Sequence, residues 1–228
     1  MKFKISAQMF PIGLFVLGLP VGIWAAPLPF GDNPMAGTSV AAQPSLAGSI
    51  LEDIFAPYSF SGAGATVSGM VENRVVRSTL NGTLDFYWRI LPDVTSTGGI
   101  DALRMIWSAG VIQDADWRSD DLGNVAPGIA RNFDIRPGAA VNFLFSDPGV
   151  GPTDSSRFFF VRTDATAYDQ SGFYDLLSPD ISDISSQFAT FAPVPEPSVL
   201  GLGSLALLGV LTRGFFSKQR QQRSDRTA

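Results

Sequence analysis

Hydrophobic and polar residues alternate along much of the chain between residues 58 and 192, as expected for β-strands that bury one face. Gly, Pro, Asn and Asp separate the runs, and no window there has the length and spacing of a helix. The pattern predicts an all-β domain over residues 58–192, an antiparallel β-sandwich of the jelly-roll or immunoglobulin-like type. The candidate strands are 65–71, 74–80, 84–91, 102–108, 129–135, 140–145, 158–163, 172–176 and 186–191.

One of these runs differs from the others because it is apolar on both faces. Residues 158–161 read Phe-Phe-Phe-Val between Arg157 and Arg162. A run of this kind is typical of a central strand that is covered on both sides. We therefore place it inside a sheet and not at an edge.

Two of the runs meet at the sequence Asn-Gly-Thr, residues 81–83, which predicts a hairpin. A two-residue Asn-Gly turn would place Arg77 opposite Phe86, whereas a three-residue loop pairs Leu80 with Leu84. Burying an unpaired arginine costs more than an imperfect turn, so we predict the three-residue loop or a bulge.

A second hairpin is predicted around Arg-Pro-Gly-Ala, residues 136–139, which fits a tight turn. It joins two runs whose apolar sets are Ile129, Phe133 and Ile135, and Val141, Phe143 and Phe145.

The N-terminal residues predict a secretory signal peptide over 1–25, which implies export through the Sec translocon. Residues 1–4 carry positive charge, residues 9–23 are apolar, and Trp24-Ala25-Ala26-Pro27 offers cleavage after Ala25. An uncleaved membrane anchor is the alternative. Residues 26–57 are rich in Pro, Gly, Ala and Ser in their first part, so we expect a flexible lead-in segment with a short helical or strand piece near 49–55.

The C-terminal residues carry three features in succession. Prolines at 193, 195 and 197 predict an extended segment over 193–198, because proline fits neither a helix interior nor a sheet ladder. Residues 199–212 carry no charge and predict a transmembrane helix, although 198–212 would span only about 22 Å of a core of about 30 Å. Arg213 begins a basic tail, residues 213–228, which the positive-inside rule keeps in the cytoplasm.

This arrangement resembles the PEP-CTERM sorting signal of Gram-negative bacteria that make exopolysaccharide. The residues that carry the resemblance are Val194, Pro195, Glu196, Pro197 and Ser198, followed by the short apolar helix and the basic tail. The resemblance implies that exosortase, a membrane cysteine transpeptidase, recognises Pro195, Glu196 and Pro197. Cleavage near them would release or transfer the domain from the inner membrane to the cell surface or extracellular matrix. The tail is longer than is usual for the family, and a plain single-pass anchor is the alternative.

The segment 162–193 also resembles the end of an uncharacterised group of PEP-CTERM proteins, and this likeness carries no activity with it.

The charge of the exported part disfavours nucleic-acid binding. Residues 26–193 contain nine Arg and no Lys against seventeen Asp and two Glu, a balance of −10. The chain has no Cys and no His, which excludes disulfides, thiol nucleophiles, Ser-His triads and His-ligated zinc. We expect a monomer without a cofactor.

Two groups of residues suggest binding chemistry. Asp114, Asp116, Asp120 and Asp121 could hold Ca²⁺, but Arg118 stands where a third ligand belongs, and a solvated acidic loop is preferred. Trp117, Tyr168 and Tyr174, with Tyr87 and Trp107, could form a platform on which sugars stack. Core or sheet cover is the commoner role of such residues, and Trp88 and Trp107 are predicted to be core.

We expect an exported structural, adhesive or carbohydrate-binding protein of the exopolysaccharide matrix. A secreted carbohydrate-active enzyme is the alternative from another class. Glycoside hydrolysis needs a pair of carboxylates, and the sequence singles out no pair among its nineteen candidates in residues 26–193, so no catalytic residue is predicted.

Overall fold

The computed structural model describes residues 28–107, 112–133, 140–181 and 183–194. These residues form twelve β-strands and one 3₁₀ turn, Pro44–Leu46, and contain no α-helix, which confirms the all-β prediction. The strands are β1 Gly31–Pro34, β2 Gly48–Gly62, β3 Ala65–Ser78, β4 Leu84–Pro92, β5 Ala102–Ile106, β6 Ile112–Trp117, β7 Pro127–Asn132, β8 Ala140–Phe145, β9 Phe159–Thr163, β10 Tyr168–Ser178, β11 Asp183–Ile184 and β12 Phe188–Pro193.

Several predicted segments lie outside the described residues. They are the signal peptide 1–25, the sorting residues Pro195, Glu196, Pro197 and Ser198, the apolar segment 199–212, and the tail that begins at Arg213. Within the described ranges, no helix is long and apolar enough to cross a membrane.

The strands form two antiparallel sheets that share one core. The five-stranded sheet has the order β2-β3-β4-β9-β6, and the seven-stranded sheet has the order β1-β7-β8-β5-β10-β11, with β12 also paired to β10. Trp88 of the first sheet packs against Trp107 and Phe143 of the second, with ring centroids 6.2 and 6.1 Å apart. The prediction that Trp88 and Trp107 are core residues is confirmed, since each is almost fully buried.

The doubly apolar run forms β9, in the interior of the five-stranded sheet between β4 and β6. Phe159 and Val161 face the core between the sheets, while Phe158 and Phe160 belong to a smaller cluster on the outer face. That cluster is completed by Leu46, Val76 and Tyr87, with Val40 packed against it. The prediction of a strand covered on both sides is confirmed. Residues 35–47 connect β1 to β2 and supply Val40 and Leu46, and we call this segment the strap.

The expectation of a flexible lead-in segment at 26–57 is wrong for its described part, although the short helical or strand piece expected near 49–55 is present as a strand. The described part contains β1, the 3₁₀ turn and much of β2, which pairs with β3 from Gly48 to Gly62. β2 is an edge strand, and its first six residues are exposed on both faces, so the period of two that marks a half-buried strand is missing. Pro57 is tolerated in β2 for the same reason, since prolines in sheets are confined to edges.

The first hairpin exists, but its predicted register is wrong. Arg77 pairs with Leu84, and the turn is a four-residue loop closed by hydrogen bonds from Gly82 N–H to Ser78 O and from Ser78 N–H to Thr83 O, at 3.0 and 2.9 Å. Gly82 has a φ of +75°, which glycine adopts at little cost.

Arg77 has its own partners, so it does not need to be kept away from the core. Its guanidinium donates to the carbonyl oxygens of Gly82 and Thr166, both at 3.0 Å. Leu80, which the prediction paired with Leu84, is 71% exposed at the tip of the loop. The runs 65–71 and 74–80 are thus parts of the single strand β3.

The second hairpin is formed by β7 and β8, as predicted, although its turn at 136–139 and Ile135 lie outside the described residues. Val141, Phe143 and Phe145 of β8 face the core. In β7 the core-facing residues are Ala130 and Asn132, both buried. The apolar Ile129 and Phe133 are therefore on the opposite face of the sheet.

Candidate functional site

The last strand of the body ends directly before the sorting residues. Tyr168 at the start of β10 pairs with Pro193 at the end of β12. Val194, the one sorting residue that the structure describes, donates its N–H to Ala167 O at 3.0 Å. The sequence Pro195-Glu196-Pro197 therefore begins one residue beyond a hydrogen-bonded anchor point.

Buried side chains join β12 to the opposite sheet. The indole N–H of Trp88 donates to Thr190 Oγ1, and the Thr190 hydroxyl donates to Asn73 Oδ1, both at 3.0 Å. Within its own sheet, β12 also accepts at Phe191 O from the indole N–H of Trp107, at 3.1 Å. The end of the body is thus fixed to both sheets.

The prediction of a solvated acidic loop is wrong for Asp114 and Asp116. Both are on β6, opposite Arg162 and Phe160 of β9, and project from the outer face of the five-stranded sheet. Asp120 and Asp121 follow β6 in a turn. A register shift in β6 interrupts the alternation, which explains why the strand was missed.

Two of these carboxylates bind the strap, one to β6 and one to the turn that follows it. Asp116 Oδ1 accepts from the N–H of Gly37, and Asp120 Oδ2 accepts from the N–H of Val40, both at 2.9 Å. Asp120 Oδ1 also accepts from Arg118 Nε at 2.7 Å, and this bond holds the pKa of Asp120 below its usual value. Burial raises the pKa of Asp116.

The other two aspartates have separate surroundings. Asp114 Oδ1 accepts from the N–H of Ala115, and Asp121 Oδ2 is 3.9 Å from Arg74 Nη1. Among the described residues, no group of three or more carboxylates is arranged to hold a metal ion. Calcium binding stays the less favoured hypothesis for these residues.

The predicted sugar platform is not assembled by its three residues. Trp117 is on β6, where its ring packs against Gly37 and under the Arg157 guanidinium, whose carbon is 5.3 Å from the ring centroid. Tyr168 and Tyr174 are on β10 in the other sheet. Tyr174 is fully buried and stacks on Phe188, so the prediction that it contacts a glycan is wrong.

Tyr168 is the more accessible of the two tyrosines, and its hydroxyl donates to Glu52 Oε1 at 3.2 Å. Its ring meets Phe191 edge-on, with centroids 5.6 Å apart. Tyr87 and Trp107, the other candidates for the platform, are buried.

Sequence reasoning missed a row of polar side chains on the outer face of the seven-stranded sheet. Strand register aligns one residue from each of five neighbouring strands, β1, β7, β8, β5 and β10. We call this set the polar row; in spatial order it consists of Asp32, Arg131, Asn142, Arg104 and Asp175. The core-facing residues of these strands alternate with them, which places the row on the outer face.

Ion pairs connect the residues at each end of the polar row. Arg131 makes a two-pronged ion pair with Asp32, which holds the pKa of Asp32 below its usual value. Arg104 donates to Asp175 Oδ2 from Nε, at 3.2 Å, and from Nη2. The side chains of Arg104 and Arg131 are 35% and 39% exposed, whereas Asp175 is buried.

Apolar residues flank the polar row on both sides. The next residues on the same face are two positions away along each strand, and they are apolar. They are Ile129, Leu144, Ala102 and Leu177 on one side of the row, and Ala140, Ile106 and Phe173 on the other. Phe173 and Phe133 are 45% and 46% exposed. The outer face therefore combines polar and apolar residues, and it exposes the rings of Phe133 and Phe173 to solvent.

Arg74 is the centre of an ion-pair cluster on the outer face of the five-stranded sheet. It bonds Asp53 and Glu72, both at 2.8 Å, and its guanidinium lies 4.2 Å from the Phe158 ring centroid. Burial, followed by the nearby Asp53 charge, raises the pKa of Glu72. These ion pairs and the contact with Phe158 explain the packing of this face, although Arg74 Nε is buried without a hydrogen-bond partner among the described residues.

Comparison with models of known protein families, with curated proteins and with solved structures gives no match to this chain.

Proposed function

We propose that this chain is an exported protein of a Gram-negative bacterium that exosortase sorts to the cell surface or the exopolysaccharide matrix. The Sec translocon carries it across the inner membrane, where it is anchored transiently. There the all-β body acts as a monomeric structural, adhesive or carbohydrate-binding β-sandwich of the jelly-roll or immunoglobulin-like type, without catalytic activity. The observation that carries this proposal is the position of the sorting residues, which begin where the folded body ends.

Val194 is hydrogen-bonded to the body, and the next residue starts the Pro-Glu-Pro sequence. The partner strand β10 begins at Tyr168, opposite Pro193, so β10 offers no further partner to the residues that follow Val194. An enzyme that recognises Pro195, Glu196 and Pro197 would therefore meet an extended chain outside the sheet, which favours processing without unfolding of the body.

The residues after the sorting motif support a temporary membrane anchor. An uncharged helix over 199–212 is short for a bilayer and needs local thinning or flanking residues that reach the interface. Arg213 and the basic residues after it would stop the helix from sliding outward. The anchor would thus hold the scissile region at a fixed depth.

The test is cell fractionation of strains with and without exosortase. We expect the wild-type protein to shorten and leave the inner membrane only when exosortase is present. Glu196→Ala should remain full-length in the inner membrane, because Glu196 is the one charged residue of the recognition segment. Asp164→Ala, at an exposed position of the body, is the matched control and should be processed like wild type.

The proposal fails if wild type and Glu196→Ala both stay full-length in the inner membrane, or if both appear outside at the same size. A plain anchor or simple secretion would then replace it. Release of reducing sugar ends by the purified protein would contradict the non-enzymatic part and favour a carbohydrate-active enzyme.

A further inference from the structure

We propose that the polar row is a binding site for a neutral polysaccharide, which lies across the strands of the seven-stranded sheet. This inference deepens the proposed function and rests on it for the source of the ligand, the exopolysaccharide matrix. The ligand class itself follows from the chemistry of the row.

The side chains of the row present both kinds of hydrogen-bonding group. Arg104 and Arg131 offer only donors, Asp32 and Asp175 offer only acceptors, and Asn142 offers both. All five end in planar groups that can bond two neighbouring atoms at once. Vicinal sugar hydroxyls, each a donor and an acceptor, match such a set.

Two side-chain oxygens of the polar row accept no hydrogen bond from the described residues. Asp175 Oδ1 and Asn142 Oδ1 are buried without a hydrogen-bond partner among the described residues. A buried acceptor without a partner costs free energy, so a ligand that donates to it gains affinity. In the free protein both oxygens are covered, and we expect the long side chain of Arg104, which is about a third exposed, to shift when the ligand binds.

The charges of the row distinguish ligand classes. Its two arginines and two aspartates cancel, so the row has no net charge that would attract an anionic or a cationic chain, and either chain would lose hydration without compensation. The exported part as a whole is acidic, which repels anions. A neutral polyhydroxylated chain pays neither cost.

The shape of the face favours a chain over a single sugar. Five neighbouring strands contribute to the row, and four strand spacings extend over roughly 19 Å. The exposed rings of Phe133 and Phe173 and the aliphatic residues beside the row offer apolar surface to the C–H faces of sugar rings.

The test is isothermal titration calorimetry of the full-length chain in detergent. The probes are a soluble neutral glucan, a neutral galactomannan and the acidic polygalacturonate at equal mass. We expect saturable binding of at least one neutral polymer and weaker binding of polygalacturonate. Arg104→Gln and Asn142→Ala should each weaken the neutral interaction roughly tenfold or more. Arg89→Gln, on the outer face of the other sheet, is the matched control and should bind like wild type.

Phe173→Ala serves as a second variant in case a polar variant fails to fold. Because Phe173 is 45% exposed, its replacement should leave the melting temperature unchanged and weaken polysaccharide binding. Tighter binding of polygalacturonate, unchanged affinity in the variants, or binding of no polymer would overturn the inference. None of these outcomes affects the proposed sorting, which fractionation tests separately.

Discussion

Asp85 of β4 lies opposite Arg162 of β9, yet the two side chains do not form a hydrogen bond, since Asp85 Oδ1 is 3.8 Å from Arg162 Nε. Asp85 is 1% exposed, and neither carboxylate oxygen has a hydrogen-bond partner among the described residues. Burial raises the pKa of Asp85 to about 7, and the Arg162 charge offsets only part of this effect. The five-stranded sheet therefore buries a carboxyl group whose pKa is about 7.

The first prediction is that Asp85 makes the protein less stable as the pH rises from about 4 to about 7. A carboxyl whose pKa is raised by folding stabilises the folded state fully below its unfolded pKa and loses this contribution as the pH passes its folded pKa. The limiting effect is roughly 4 kcal/mol, for a pKa raised from 3.8 to about 7. Asp85→Asn should flatten the dependence of unfolding free energy on pH, measured by urea denaturation. Exposed Asp164→Asn is the control, and an unchanged slope in Asp85→Asn would contradict the prediction.

The second prediction concerns Asp116 and Asp120, which accept hydrogen bonds from the strap on either side of Thr38. Asp120→Ala should speed amide hydrogen exchange at Val40 and leave Gly37 protected, while Asp116→Ala should do the reverse. Each substitution removes an accepted hydrogen bond, at a cost of about 1 kcal/mol. Equal effects of both variants at both amides would show that the attachments are not independent.

Acid should loosen the Val40 attachment as well. The pKa of Asp120 is lowered, first by its bond with Arg118, so the stabilisation is present above the unfolded pKa and disappears as the pH falls through the folded value. The protection factor of the Val40 amide, which corrects for the intrinsic slowing of exchange in acid, should therefore fall at acid pH in wild type but not further in Asp120→Ala.

The third prediction is that Thr190→Val destabilises the protein by about 1–3 kcal/mol, because the Trp88 indole N–H and Asn73 Oδ1 lose their shared partner in the buried interior. Chemical denaturation followed by tryptophan fluorescence measures this loss. The control is Thr153→Val at an exposed position, which should change stability by less than about 0.5 kcal/mol. Equal stabilities of the two variants would show that the buried chain of hydrogen bonds contributes little.

The fourth prediction is that millimolar Ca²⁺ raises the melting temperature only slightly. Asp116 and Asp120 already accept hydrogen bonds from the strap, so calcium would have to displace these bonds before it could bind. A rise of several degrees that is lost in the Asp116→Ala, Asp120→Ala double variant would instead establish a calcium site. Differential scanning calorimetry is the measurement.

The burial pattern of each strand explains whether the strand could be predicted from the sequence. Residues 84–91 and 158–163 were found because their side chains alternate between, or fill, two covered faces. The strand β2 is predicted only as a short helical or strand piece near 49–55, because much of its length is exposed on both faces and shows no alternation. The sequence of β6 looks like that of a loop, because its aspartates point outward and a register shift interrupts the alternation.

The candidate sites also differ in whether the sequence alone can indicate them. Pro195, Glu196 and Pro197 are adjacent in the chain, so local sequence is enough to suggest their role. The polar row takes one residue from each of five strands, and only strand register brings Arg104 beside Asn142. Since cross-strand neighbours are far apart in sequence, no local pattern could have indicated the row.

Thr190 and its neighbours on β12 also determine how the body would respond to mechanical force. For a protein held at a surface by its C-terminal end, as proposed, flow or cell movement would pull on Val194. The pairing of Pro193 with Tyr168 means that tension along β12 loads several backbone hydrogen bonds together, in shear, instead of opening them one at a time. The bonds from Trp88 to Thr190 and from Trp107 to Phe191 would share that load with the remainder of both sheets.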